Sequence, residues 1–422
     1  MRILPWLLQR LVKSGTVTLI GPDGRTQTFG GDGPGPDLTV RVTDPGLDWK
    51  LLRGPRLAIA EAYMDGTLNF EKGGLRDLMH LYQVNKVRRR RSVAEAGWRR
   101  TLRATRRFIT PNNPLRAGHN ARAHYDLGND LYRLFLDPDM QYSCAYFPNG
   151  DETLEQAQLA KKRHVAAKLM LKPGQRVLDI GCGWGGMALY LARVADVEVL
   201  GITLAEEQLK VARERAEAAG LAGRVRFELR DYRDLGGIFD RIVSVAMLEA
   251  VGAASLGTYF DTVRDRLAPD GVALIHSIMT TKSTSHTDPF TQKYIFPGGY
   301  VPGASETLAA VERAGLWILD FEVWRKHYGF TLRQWYERFM ASREAAKAMY
   351  DERFCRMWEL YLVGFESSFM TGNLAVMQLQ LGHQRDAVPL SRDYLAEETE
   401  RLRARETERI LDREKVLFPH QS

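Results

Sequence analysis

The chain is poor in cysteine: Cys144, Cys182 and Cys355 are the only three in 422 residues. They stand too far apart for a C-x-x-C zinc site, and their odd number argues against a disulfide framework. A reducing, cytosolic compartment and no bound metal are the expectations. No run approaches the 18 or so consecutive apolar residues that a membrane-spanning helix needs. The apolar start, Ile3–Leu11, is interrupted by Pro5, Gln9 and Arg10 and lacks a small-residue cleavage site, so it does not read as a signal peptide. Internal repeats are missing, as is any low-complexity tract beyond one group of arginines. With 45% hydrophobic and 26% charged residues, the composition is that of a folded protein long enough for two domains.

The net charge of +7 is local. Between Lys86 and Arg107 lie ten basic residues and one acid, a net of +9, so the remainder is slightly acidic. The run Arg88–Arg91 suits a solvated helix face or linker, and it equally suits an anionic phospholipid surface, where each cation contributes about 1 kcal/mol before screening. A single-stranded nucleic acid would want stacking aromatics among the cations, and only Trp98 and Phe108 are there. A nucleic-acid methyltransferase would also carry a polar motif such as N-P-P-Y where this chain has MLEAVG (247–252), so no nucleic-acid partner is expected. Near the start, Ile3, Leu4, Leu7, Leu8 and Leu11 share one helical face with Trp6 at its edge. That face fits a helix docked on its own domain or one lying in a membrane interface.

Patterning divides the chain. The first hundred residues read as a small α+β unit, with a hairpin (Thr16–Ile20, Thr26–Phe29), a strand at Leu38–Val42 and helices at Leu57–Met64 and Leu75–Val84. The Pro- and Asn-rich stretch 111–120 marks a boundary. From His124 helices and strands alternate, with strands at Arg176–Ile180, Glu198–Thr203, Val225–Leu229, Phe239–Val245 and Val272–Ile278. This predicts a doubly wound α/β sheet with its ligand at the carboxyl ends of the strands. Beyond Tyr328 the chain reads as helical. The predicted domains are 1–110, a linker 111–123, and 124–422 with a helical extension.

The stretch VLDIGCGWGG (177–186) carries the strongest chemical signal. A buried strand ends in Asp179, and Gly181, Gly183 and Gly186 then allow a tight turn and close approach of a ligand to the backbone. Such a turn holds a dinucleotide pyrophosphate or the amino-acid end of S-adenosylmethionine. A dinucleotide site wants an acidic residue about 20 positions on. Here the second strand ends in Thr203, which favours S-adenosylmethionine.

Four stretches converge: HYDLGNDLYRLFLDPDMQYSCAYF (124–147), VLDIGCGWGG, DYRDL with FDRIVSVAMLEAVG (231–235, 239–252), and KYIFPGGYVPG (293–303). Together they resemble the cyclopropane-fatty-acyl-phospholipid synthases and the related mycolic acid cyclopropane synthases. AEAYMDGTLNFE (60–71) extends the likeness into the N-terminal unit of the phospholipid-acting branch. The resemblance implies a Rossmann-like, class I S-adenosylmethionine-dependent methyltransferase domain with a smaller N-terminal α+β lipid-binding domain.

It further implies methyl transfer onto a cis double bond of a phospholipid acyl chain, followed by loss of a proton to bicarbonate and closure of a cyclopropane. The implied bicarbonate residues are Cys144, Glu249, His276, Ile278 and Tyr328. The implied cofactor residues are Gly181, Gly183 and Gly185 near the methionine end, Tyr142 and Ser143, Thr203 and Gln208 near the ribose, and Tyr232 and Arg233 near the adenine. His124, Tyr125 and Asn129 either order the lid-like segment or touch the cofactor. The family commonly reads E-H-V-G where this chain has Glu249-Ala250-Val251-Gly252, which keeps open a relative that methylates the alkene without closing the ring. The implied setting is the inner face of an anionic, unsaturated membrane, bound peripherally; a homodimer stays open.

Overall fold

The computed structural model describes residues 1–88, 128–282 and 287–417, without the side chains of 87, 88 and 408–417. Residues 89–91 of the basic run, the boundary stretch 111–120, His124 and Tyr125 therefore lie outside the described residues. Contacts divide the chain into two compact units. Of the described residues, 1–88, 287–297 and 329–373 form one, and 128–282, 298–328 and 374–417 form the other. Segments 287–297 and 329–373, assigned from sequence to the catalytic domain, thus pack with the N-terminal unit.

The smaller unit carries strands β1 (Ser14–Ile20), β2 (Thr26–Gly30), β3 (Gly33–Val42) and β4 (Leu68–Lys72) in the order β2-β1-β3-β4. Sequence reading missed β4 and the short helix Leu47–Arg53. The helix Glu352–Met370 packs against Pro55–Met64 and Leu75–Arg88. Its buried Glu366 accepts from Arg76 at 3.0 Å and Arg333 at 2.9 Å, and Tyr63 donates to its Glu359 at 2.7 Å. Charged partners therefore follow the apolar contacts and keep the buried acids satisfied. The helix Ile3–Leu11 is tied to Leu47–Arg53 by Asp48, which accepts from the backbone N–H groups of Arg2, Ile3 and Leu4. A carboxylate at the N-terminus of a helix satisfies donors that have no intrahelical partner.

The larger unit is a seven-stranded sheet of β5 (Arg176–Ile180), β6 (Glu198–Thr203), β7 (Val225–Leu229), β8 (Phe239–Val245), β9 (Leu267–Thr280), β10 (Trp317–Trp324) and β11 (Leu374–Gly382). Its order is β10-β11-β9-β8-β5-β6-β7. Strands β5 to β9 are parallel, as the alternating pattern predicts. Strand β11 enters antiparallel between β9 and β10. Both β10 and β11 were missed from the sequence, and β11 corrects the expectation of an all-helical C-terminal region. Strand β9 runs from Leu267 to Thr280, longer at both ends than the expected Val272–Ile278, with His276 inside it.

Gly185 and Gly201 show why close packing needs glycine here. Gly185 caps the helix Gly186–Ala195 with φ +82°, and a Cβ there would stand 2.6 Å from Phe227 Cζ and 3.1 Å from Ala212 Cβ. At Gly201 a Cβ would fall 2.6 Å from the same ring. Gly185→Ala is therefore expected to lower the free energy of unfolding by about 1–3 kcal/mol through overpacking and left-handed strain. The midpoint of urea denaturation measures this, and a midpoint equal to that of the parent would contradict the packing argument.

Candidate active site

The turns following β5, β6, β7 and β8 open into one cleft of about 1220 Å³, its mouth included. The strand order reverses between β5 and β8, and such a switch point leaves a crevice at the carboxyl ends of the strands. Sequence and topology therefore agree on the location.

Eight of the nine residues implied for the cofactor line this cleft: Tyr142, Ser143, Gly181, Gly183, Thr203, Gln208, Tyr232 and Arg233. Gly185 does not line it; its missing side chain serves the packing described above. At Gly183, with φ +55°, a Cβ would meet nothing within 4 Å, so the turn leaves open space on that side. Thr203 donates to Gln208 Oε1 at 3.3 Å and accepts from Ala205 N at 3.2 Å. Arg233 grips Asp231 through two hydrogen bonds of 2.8 and 2.6 Å. Burial works to raise the Asp231 carboxyl, but the Arg233 contacts hold it below its ordinary range.

Asp179, just before the glycine turn, also lines the cleft, is 1% exposed, and leaves Oδ2 without a hydrogen-bond partner. Burial pushes its carboxyl up to about 7 against the opposing charge of Lys161. A buried carboxyl with an idle oxygen is costly unless something else is meant to meet it.

The wall formed by residues 140–143 is fixed from behind by the helix Leu154–Leu169. Gln158 donates to the carbonyls of Gln141 and Ser143 at 3.1 and 3.0 Å. Lys161, fully buried, donates to Gln141 Oε1 and to Ser143 Oγ, the latter at 2.9 Å, and burial lowers its ammonium to about 8. Asp137 accepts from Gln141 N at 2.9 Å, and Asp139 pairs with Lys162 and Arg215. Asn129 accepts from Trp184 Nε1 at 2.8 Å, which gives it an ordering role. Neither Lys161 nor Gln158 was legible beforehand, since a helix rich in Lys, Arg and Gln reads as solvated.

The residues implied for the anion gather partly. Glu249 stands on the short helix Leu248–Val251 after β8, and its Oε1 accepts from the backbone N–H of Ile278 on β9. Its Oε2 is enclosed and unpartnered, and burial pushes the carboxyl up to about 7. His276 shares a strand face with Ile278 two positions on. It is 2% exposed, and burial, with the charges of Lys161 and Lys168, presses its imidazole well below the ordinary value.

Its ring meets Trp324 edge-on at 5.0 Å. Trp324 in turn lies 4.7 Å from Tyr146, and Phe147 N donates to His327 Nδ1 at 3.1 Å. These contacts bring the segment around Cys144 to the start of the helix His327–Ala341, which carries the buried Tyr328. The Cys144 thiol donates to Ala145 O at 3.3 Å, so its proton is already engaged.

The comparisons with known proteins follow this geometry. A family model described as mycolic acid cyclopropane synthetase matches residues 113–379. The cyclopropane-fatty-acyl-phospholipid synthase of Escherichia coli strain K12 is 40% identical over 341 residues, 81% of this chain and 86% of its own. Tuberculostearic acid methyltransferase UfaA1 of Mycobacterium tuberculosis is 35% identical over 390 residues, 89% of this chain and 90% of its own. The solved structure of mycolic acid cyclopropane synthase CmaA1 complexed with SAH and CTAB is similar with a TM-score of 0.60 at 31% identity, covering 63% of this chain and 97% of that one. A strand order with its crevice at the switch point, a glycine turn aimed into it and these matches lead to one conclusion: the chain belongs to the mycolic acid cyclopropane synthetase family, enzymes with the Rossmann-like fold of S-adenosylmethionine-dependent methyltransferases.

Proposed function

We propose that this enzyme transfers a methyl group from S-adenosylmethionine to a cis double bond of an unsaturated phospholipid acyl chain and closes a cyclopropane ring, with bicarbonate as the base. The observation that carries the reading is a pair of enclosed carboxyls. Asp179 lies in β5 and Glu249 follows the adjacent strand β8, and each keeps one oxygen without a partner.

The cleft suits the cofactor. When bound, S-adenosylmethionine supplies a methyl on a positively charged sulfonium, the electrophile that a weakly nucleophilic alkene requires. Gly183 leaves the turn open to it, and the Asp179 carboxyl, which lines the cleft, would be drawn into its ionised form by a cationic ligand. Thr203 and Gln208 offer hydroxyl and amide groups to a ribose, which accounts for the missing acidic residue. Tyr232, Asp231 and Arg233 form the wall for an adenine.

Ring closure needs a base that does not itself trap the cation formed on the acyl chain, and bicarbonate supplies that chemistry when bound. Glu249 has a fixed Oε1 and an idle Oε2, the arrangement of a group that accepts a hydrogen bond or a proton. A neutral His276 contributes a donor. The thiol of Cys144 is engaged elsewhere, so a contribution from that residue falls to its backbone.

A second reading, C-methylation without ring closure, is favoured by Ala250, which lines the cleft where the family commonly has histidine. Lipids extracted from cells expressing the chain decide between the two. Mass spectrometry is expected to show one added CH2 per monounsaturated acyl chain, and the product should resist olefin cleavage. A cleavable product would establish the second reading, and unchanged lipids would refute both.

Glu249→Gln is expected to lower kcat about 100-fold or more while leaving S-adenosylmethionine affinity near the parent value. The Glu249 carboxyl changes charge near pH 7 and acts ionised, so parent activity should rise with pH through that range and the variant should lose this limb. Stripping bicarbonate should depress the parent rate and restoring it should recover it. A pH profile shared by parent and variant would remove Glu249 from the role.

For the lipid partner, the smaller unit presents Trp6 (55% exposed), Trp49 (74%) and Leu52 (61%) on two helices tied together by Asp48, with Arg10 over the Trp6 ring. Amphipathic aromatics beside cations fit an anionic interface. Vesicles containing anionic lipid should bind the protein more tightly than zwitterionic ones, less so as salt rises. A Trp6→Ala/Trp49→Ala double variant should lose about tenfold in partitioning. Equal flotation with both vesicle types at low salt would refute this docking surface.

A further inference from the structure

Strand β11 reads LAVMQLQLG, and its two glutamines are buried, Gln378 at 0% and Gln380 at 1% exposure. Gln380 has structural partners: its amide donates to Lys168 O at 2.6 Å and to the Tyr394 hydroxyl at 3.0 Å. Gln378 is different. In the antiparallel β11–β9 register it stands directly opposite His276, and its Nε2 donates to His276 Nδ1 at 3.1 Å. Its Oε1 has no partner. An amide left half satisfied in an apolar strand is costly, so this contact has to be sought in what it does to the imidazole.

A neutral imidazole carries one proton. An N–H aimed at Nδ1 demands a lone pair there and so places that proton on Nε2. A second proton on Nδ1 would set N–H against N–H. Trp324, edge-on at 5.0 Å, holds the ring plane. Lys161 and Lys168 oppose a charged ring, as does His164, while Glu322 favours it. A carboxylate in place of Gln378 would do the reverse, stabilising Nδ1–H and the imidazolium as the triad aspartate does.

We infer that Gln378 is a positioning residue that locks His276 in its Nε2–H tautomer, making His276 a fixed donor toward an anion and removing it as a base. The part concerning the anion rests on the reading of His276 given above; the tautomer does not.

Nitrogen NMR of the full-length enzyme with labelled histidine tests it, the His276 signal being assigned by its loss in His276→Gln. The parent spectrum should show an unprotonated Nδ1 and a protonated Nε2, unchanged between about pH 6 and 8. An Nδ1–H tautomer, or an imidazolium titrating in that range, would overturn the inference without any variant. Gln378→Glu should move the proton to Nδ1 in the same spectrum and lower kcat about 10–100-fold, with S-adenosylmethionine Kd within about twofold of the parent. Retention of Nε2–H or of the parent kcat in that variant would also overturn it. If the spectra are as expected but the parent rate ignores bicarbonate removal, the tautomer assignment stands and the anion reading falls.

Discussion

An ionisable side chain taken out of water must find partners or give up its charge, and the larger unit places Lys161, Asp179, Glu249 and His276 under that constraint together. Burial pushes both carboxyls up to about 7 and the lysine down to about 8, and it presses the histidine further from charge. The net effect is a site poised near neutrality, in which small additions of ligand charge decide which groups ionise.

The helix Leu154–Leu169 is the main support. From its buried side Gln158 and Lys161 hold the cleft wall at 141–143, while Lys168 reaches Asp320 and Glu322 on β10. His164 adds a hydrogen bond to Glu322 at 2.8 Å and a stacked contact with Tyr146. One helix thus ties the cleft wall to the far edge of the sheet through a polar network and a ring stack, while its Val165, Ala166 and Leu169 join the apolar core. Such networks tolerate little change, because removing one member strands another in a dry interior.

The parallel half of the fold was legible because each of its strands ends in a turn with a chemical signature, above all Asp179 to Gly186. The family resemblance supplied the cofactor residues, most of which lie in those turns, while Tyr142 and Ser143 precede the sheet. Strands β10 and β11 were hidden for a physical reason: β11 joins β9 and β10 antiparallel only after a long helical stretch, and local periodicity carries no record of such distant partners. WILDFEVW offers acids on an edge strand, and LAVMQLQLG offers two glutamines that turn out to be buried. Gln378 was readable in principle as a polar residue in an apolar run. Lys161 was not, since burial of a lysine on a polar helix depends on what the fold places against it.

The late arrival of β11 has a kinetic side. β9 is complete at Thr280, yet the strand that covers its free edge begins only at Leu374. A ribosome adds residues at about 5–20 per second, so this edge stands unpaired for several seconds of synthesis. Over that interval it offers nine residues of backbone to any other strand, since the register with β11 runs from Val272 to Thr280. Six of the nine side chains there are apolar. The chain is therefore most vulnerable to misassembly during its own translation, and chaperone demand should concentrate on this edge.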